Sequence, residues 1–167
     1  MSAASGPRLR AVVTRQNSAV HFVAETGSGA RVAIDGAPAI GGAGLGARPM
    51  ELLLAALGGC SGIDVVGILG KQRQAVDDLV ITVEGERAPG EPAVFTAIHV
   101  HFAVRGPTDE RAVARAVQLS MDKYCSVARV LEPTATITYH WALEPAGASR
   151  EAATAPGGGA ASAGAPA

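Results

Sequence analysis

The sequence predicts a mixed α+β fold. Three observations carry this: three short strand-like segments open the chain, one long apolar helical segment follows, and the later strands and helices come in runs. A doubly wound parallel sheet would need a helix after nearly every strand, so that architecture is not expected.

The opening strands are Leu9–Thr14, Val20–Glu25 and Arg31–Ile34, separated by polar or glycine-containing turns. A loop from Asp35 to Ala47 follows, with five glycines among 13 residues. It is either a plain surface connection or a place where backbone can approach another group closely. Its Gly41-Gly42-Ala43-Gly44 run lacks the Lys-Ser/Thr of a phosphate-binding loop.

Met50 to Leu69 reads as a helix begun by Pro49, with Leu52 to Leu57 unbroken by any polar residue. A helix apolar on every side is buried in a core or lies in a membrane. Asp64 and the glycines argue against lipid, since a mid-helix carboxylate there costs about 3 kcal/mol. A wrapped central helix is expected, with Gly58 and Gly62 on one side to let another backbone pack close.

Two alternating strands come next, Leu79–Glu86 and Val94–Arg105. In the second, Val94, Ile98, Val100, Phe102 and Val104 point to the core, and His99 and His101 point away. Thr108 is expected to cap a helix whose buried side carries Val113, Ala116, Val117, Ser120, Met121 and Tyr124. A short helix from Ser126 ends before Pro133, and a last strand spans Thr134–Leu143.

Apolar residues make up 48% of the chain and charged residues 17%, enough for a packed core. The net charge of −1 leaves no basic field for a nucleic-acid backbone. From Pro145 to Ala167, 20 of 23 residues are Ala, Gly, Pro or Ser, which cannot bury enough surface to offset ordering entropy. The expected layout is a flexible N-terminus over 1–7, one domain over 8–144 and a disordered tail over 145–167. The first residues carry no apolar run after their charges, so a cytoplasmic protein without a membrane span is expected.

Cys60 and Cys125 are the candidate chemical residues. A cysteine reacts as thiolate, which apolar burial disfavours and a helix N-terminus favours. Cys125 stands just before the expected cap Ser126, where the helix dipole favours ionisation. Cys60 has Asp64 one turn away on the same side, and that charge opposes ionisation. Two inert buried thiols are the plain alternative, and sequence alone does not pair them. His99 and His101 share a strand face but have no third ligand at a recognised spacing, so no metal or cofactor is expected. Lys123 and Tyr124 read as the solvated end of a helix.

The stretch from Pro49 to Val66, with Gly58-Gly59-Cys60-Ser61, resembles the central helix of the OsmC/Ohr family, the osmotically induced and organic-hydroperoxide-resistance proteins. The stretch from Ala112 to Ala128, with Lys123-Tyr124-Cys125-Ser126, resembles that family's second cysteine region. The wording is most similar to the uncharacterised OsmC-like subgroup. The resemblance implies two antiparallel sheets around a long buried central helix in an intertwined homodimer. It implies a thiol peroxidase in which Cys60 is peroxidatic and Cys125 resolving, acting on organic hydroperoxides with an external dithiol as reductant. In the family's peroxidases an acid directly follows the proline, and an N-terminal arginine joins it. Here Met50 follows Pro49, and Glu51 is one place later, roughly 900° around a regular helix from Cys60 and so on its opposite side. Arg15, Arg31 and Arg48 are arginine candidates by region only. The competing expectations are a non-catalytic dimer of the same fold that binds a small apolar or thiol ligand, and an interaction protein tethered by its tail.

Overall fold

The computed structural model describes Gly6 and residues 8–144. The expected tail, and all of the expected flexible N-terminus but Gly6, lie outside the described residues. Two compact units divide the chain after Leu53.

In the first unit, β1 (Ala11–Arg15), β2 (Phe22–Thr26) and β3 (Arg31–Ile34) form an antiparallel sheet in the order β1-β2-β3. The β1–β2 turn is closed by Arg15, whose guanidinium donates to the carbonyls of Ser18 and Ala19. The glycine-rich loop is organised by its own acid. Asp35 is buried and accepts from the N–H groups of Gly36, Ala43 and Leu45 at 2.8, 2.9 and 3.0 Å. The Leu45 bond leads in holding its carboxyl below the usual range, against the opposing effect of burial. The glycines let the loop fold on itself: a Cβ on Gly42 would sit 1.9 Å from the Gly36 carbonyl oxygen. Close approach is thus met within the loop.

The helix α1 (Pro49–Lys71) opens with proline at its first position. Glu51 reaches back to the Arg48 N–H at 2.9 Å, half of a capping box.

The second unit contains β4 (Asp78–Arg87), β5 (Phe95–Arg105), α2 (Glu110–Leu119), a π-turn (Ser120–Tyr124), α3 (Ser126–Leu131) and β6 (Thr136–Glu144). The sheet order is β4-β5-β6. β4 and β5 are antiparallel, but β6 runs parallel to β5, so this sheet is mixed where an antiparallel one was expected. The physical reason is the long connection: α2, the π-turn and α3 carry the chain back to the end where β5 began. Ile98, Val100, Phe102 and Val104 of β5 are fully or nearly fully buried. Val94 is not. A register shift at Glu86/Arg87 places Phe95 against Arg87 and in the core, and Val94 falls outside the strand, partly exposed. At the far end, buried Arg105 of β5 joins Asp78 of β4 at 3.3 Å and Glu144 of β6 at 2.7 Å.

Within this unit α1 packs on β4. A Cβ on Gly58 would lie 3.2 Å from Val83 Cγ2, and one on Gly62 would lie 2.7 Å from Ile81 Cδ1. Side chains of β4, rather than another backbone, fill the space these glycines leave. The buried residues of α1 are Leu57, Gly58, Ser61, Gly62, Val65 and Leu69. Ile63 and Val66 are 76% and 50% exposed, so one chain covers one side of a helix expected to be wrapped all round. By length and hydropathy alone α1 would also suffice to cross a membrane.

Asp109, not Thr108, caps α2, accepting from the Ala112 N–H at 3.0 Å. The Thr108 hydroxyl is taken by the Ala75 carbonyl at 2.5 Å. Val113, Ala116, Val117, Ser120 and Met121 are buried as expected, but Tyr124 is half exposed. The π-turn adds a residue to the α-helical period, and Cys125 takes the inward position that Tyr124 would have held.

Candidate functional site

The site lies in the second unit, where α1 meets the segment joining α2 to α3. Cys60 and Asp64 are four residues apart on α1 and share one side of it. Ser61, beside Cys60, donates its hydroxyl back to the Leu57 carbonyl at 2.8 Å, a bond that satisfies it inside the helix. Across from them, Ser120 is fully buried, and its hydroxyl points at α1. It lies 3.1 Å from Asp64 Oδ2 and 3.3 Å from the Ser61 carbonyl oxygen.

The π-turn ends at Cys125, whose N–H bonds the Ser120 carbonyl at 2.8 Å. Its backbone leaves the helical region (φ −66°, ψ 99°), and it is itself the N-terminal cap residue of α3. Its side chain is fully buried, whereas Cys60 is half-buried. Both thiols are free. Cys60 Sγ, Cys125 Sγ and an Asp64 carboxylate oxygen all lie within 4.8 Å of one another. The fold therefore brings together the two cysteines that the sequence left unpaired, and it keeps Asp64 beside them.

Burial pushes the Cys125 thiol up to about 11, and the neighbouring Cys60 sulfur acts in the same direction. The N–H groups of Ala128 and Val127 at the start of α3 pull the other way. The helix terminus is present as the sequence suggested, but burial outweighs it.

The acid and arginines considered from sequence have other partners. Glu51 is occupied at the start of α1, its second oxygen 3.9 Å from the Arg48 guanidinium. Arg31 pairs with Glu25 at 3.2 Å, and Arg15 binds the β1–β2 turn.

His99 and His101 are half-buried rather than freely solvated, and His140 of β6 stands between them. The rings of His99 and His101 stack on His140 at 4.6 and 4.1 Å between centroids. Burial leads in lowering the pKa of both His101 and His140. Lys123 is exposed, as expected of the solvated end of a helix.

An α+β chain with two thiols on facing helical segments defines a dithiol protein, and the relatives say which kind. The OsmC-like protein family matches residues 41–140. Protein YhfA of Escherichia coli strain K12 is 45% identical over 121 residues, covering 72% of this chain and 87% of its own. A crystal structure of a hypothetical protein from Aquifex aeolicus VF5 is 31% identical with a TM-score of 0.74, covering 84% of this chain and 98% of its own. An organic hydroperoxide resistance protein OsmC from Legionella pneumophila is 15% identical with a TM-score of 0.61, covering 84% and 98%. At that identity the likeness is one of fold. The chain belongs to the OsmC family.

Proposed function

We propose that this chain is a cytoplasmic thiol peroxidase that reduces organic hydroperoxides, with Cys60 peroxidatic and Cys125 resolving. The observation that carries the reading is the approach of the two sulfurs to within 4.8 Å from segments 65 residues apart. The name of the Legionella relative supports the substrate class.

Exposure supports the division of labour, since Cys60 is reachable and Cys125 is enclosed. The Cys60 thiolate attacks one peroxide oxygen, and the O–O bond breaks. The alkoxide leaves and takes a proton as the alcohol, and Cys60 becomes a sulfenic acid. Cys125 then attacks the sulfenic sulfur. Its proton joins the departing hydroxide as water, and a disulfide forms. An external dithiol returns the pair to thiols by exchange.

A homodimer goes with this reading. Ile63 and Val66 on α1, and Val12 and Val13 on β1, are exposed apolar side chains that a second copy would cover.

The carboxylate of Asp64 favours a second reading, a non-catalytic dimer binding a small apolar or thiol ligand, because a negative charge beside Cys60 opposes the thiolate. Consumption of cumene hydroperoxide with dithiothreitol as reductant separates the two. The peroxidase consumes it at a rate lost in Cys60→Ser, and one equivalent of hydroperoxide leaves an intramolecular Cys60–Cys125 bond in the intact mass. A wild-type rate equal to that of the variant rejects the peroxidase.

A further inference from the structure

We infer that Cys60, Asp64 and Cys125, in the reduced protein, form a binding site for one thiophilic divalent cation, with Zn²⁺ the ion that fits. This goes beyond the peroxidase reading and does not depend on it.

The donor set carries the inference first. Two sulfurs and a carboxylate oxygen converge within 4.8 Å of one another. Around a tetrahedral zinc, with bonds of about 2.3 Å to sulfur and about 2.1 Å to oxygen, such atoms stand roughly 3.5–3.8 Å apart. Soft thiolates select zinc over magnesium or calcium, which prefer all-oxygen cages. Three protein ligands leave a fourth position for water or a small ligand, the arrangement of an open zinc site.

Placement of the ligands carries it second. Cys60 and Asp64 are four apart on α1, the spacing that puts two ligands on one helix face in zinc-binding helices. The carboxylate is already oriented. Fully buried Ser120 reaches Asp64 Oδ2 at 3.1 Å, which leaves the other carboxylate oxygen for a metal. Ligating carboxylates are characteristically hydrogen-bonded in this way from outside the coordination shell. The third ligand, Cys125, comes from the facing segment, where it caps the N-terminus of α3. A dication also supplies the positive charge that this pair of sulfurs otherwise meets as the negative charge of Asp64.

A cation held by both sulfurs excludes a disulfide between them. Metal and oxidant therefore compete for the same pair, and an occupied site shields the thiols.

Titration of the reduced full chain with Co²⁺, after stripping with EDTA, tests this directly. The expected result is one equivalent bound, with thiolate-to-cobalt charge-transfer absorption and the intense visible bands of four-coordinate cobalt, all abolished by Zn²⁺. Cys60→Ser and Cys125→Ser each remove the charge-transfer band or weaken it by at least tenfold. Ser120→Ala, which keeps every ligand, lowers affinity roughly tenfold. Far-UV circular dichroism verifies that each variant is folded. Weak six-coordinate bands, or a spectrum unchanged in folded Cys60→Ser, overturn the site; the latter would place the ion elsewhere, at the three imidazoles for instance. Hydroperoxide consumption measured separately in EDTA tells failure of this site from failure of the peroxidase.

Discussion

Cys60 and Cys125 are neighbours in space with contrasting surroundings. Cys60 lies mid-helix on α1, partly open to solvent, one turn before a carboxylate. Cys125 lies at a helix N-terminus, enclosed on every side, with backbone N–H groups directed at its sulfur. The helix dipole alone would lower the pKa of Cys125. Its enclosure outweighs that pull and pushes it up to about 11. Partial charges at a helix end contribute about 0.3–1 kcal/mol at exposed sites, whereas a rise of about two pKa units is worth about 2–3 kcal/mol. The comparison teaches that exclusion from water outweighs the local dipole at Cys125.

The largest test of that contrast is to remove each sulfur in turn. Cys60→Ser lowers steady-state hydroperoxide consumption by about three orders of magnitude, roughly 4 kcal/mol in barrier. Cys125→Ser retains a single stoichiometric reaction with hydroperoxide and yields a sulfenic acid that dimedone traps. Rapid-mixing peroxide consumption checks both, and equal loss of the first turnover in the two variants would erase the division of roles.

The next effect is thermodynamic. A thiol raised in the folded state binds its proton more tightly there than in the unfolded chain. Stability from Cys125 is then fully present below about pH 9 and lost as pH rises through about 11. The loss amounts to about 2–3 kcal/mol. Urea denaturation of metal-free protein at pH 8 and pH 11 measures it, and the difference between wild type and Cys125→Ala isolates it from other groups.

A smaller effect sits on the Cys60 side. Asp64→Asn removes the charge beside the sulfur and raises its alkylation rate by iodoacetamide about fivefold in EDTA, or about 1 kcal/mol after allowance for solvent screening. An unchanged rate would mean the carboxylate has no hold on Cys60. Smallest is Ser120→Ala, which takes a hydrogen bond from Asp64 and costs about 1 kcal/mol or less in thermal unfolding, because water can reach the half-buried acid.

Much of this architecture is written in local pattern. Alternation marks β5, the proline and leucine run mark α1, and the capping residues mark α2 to within one position. Those signals are short-range, so they survive in one chain without relatives. What they do not carry is how segments meet. Ser120 and Asp64 are 56 residues apart, and nothing near either indicates the other. His140 joins His99 and His101 only because β6 runs parallel to β5 in one particular register, pairing His101 with His140. The ion triad around Arg105 depends on that same register. The two misplaced core residues have a common cause. A bulge displaced Val94 and a π-turn displaced Tyr124, and each adds one residue to a period that the pattern assumes is constant. The apolar excess of α1 is legible as composition, but composition does not say which side β4 covers.

The five-residue turn from Ser120 to Tyr124 has a consequence for how this dithiol could be lost or retuned. Residues on a helix are spaced by about 100°, so if this segment wound as a regular α-helix with all five residues kept, everything after it would be rotated by about that angle. Tyr124 would swing inward and its sulfur-bearing neighbour would face solvent. Both sheets would survive the change, and the conversation between the two thiols would end.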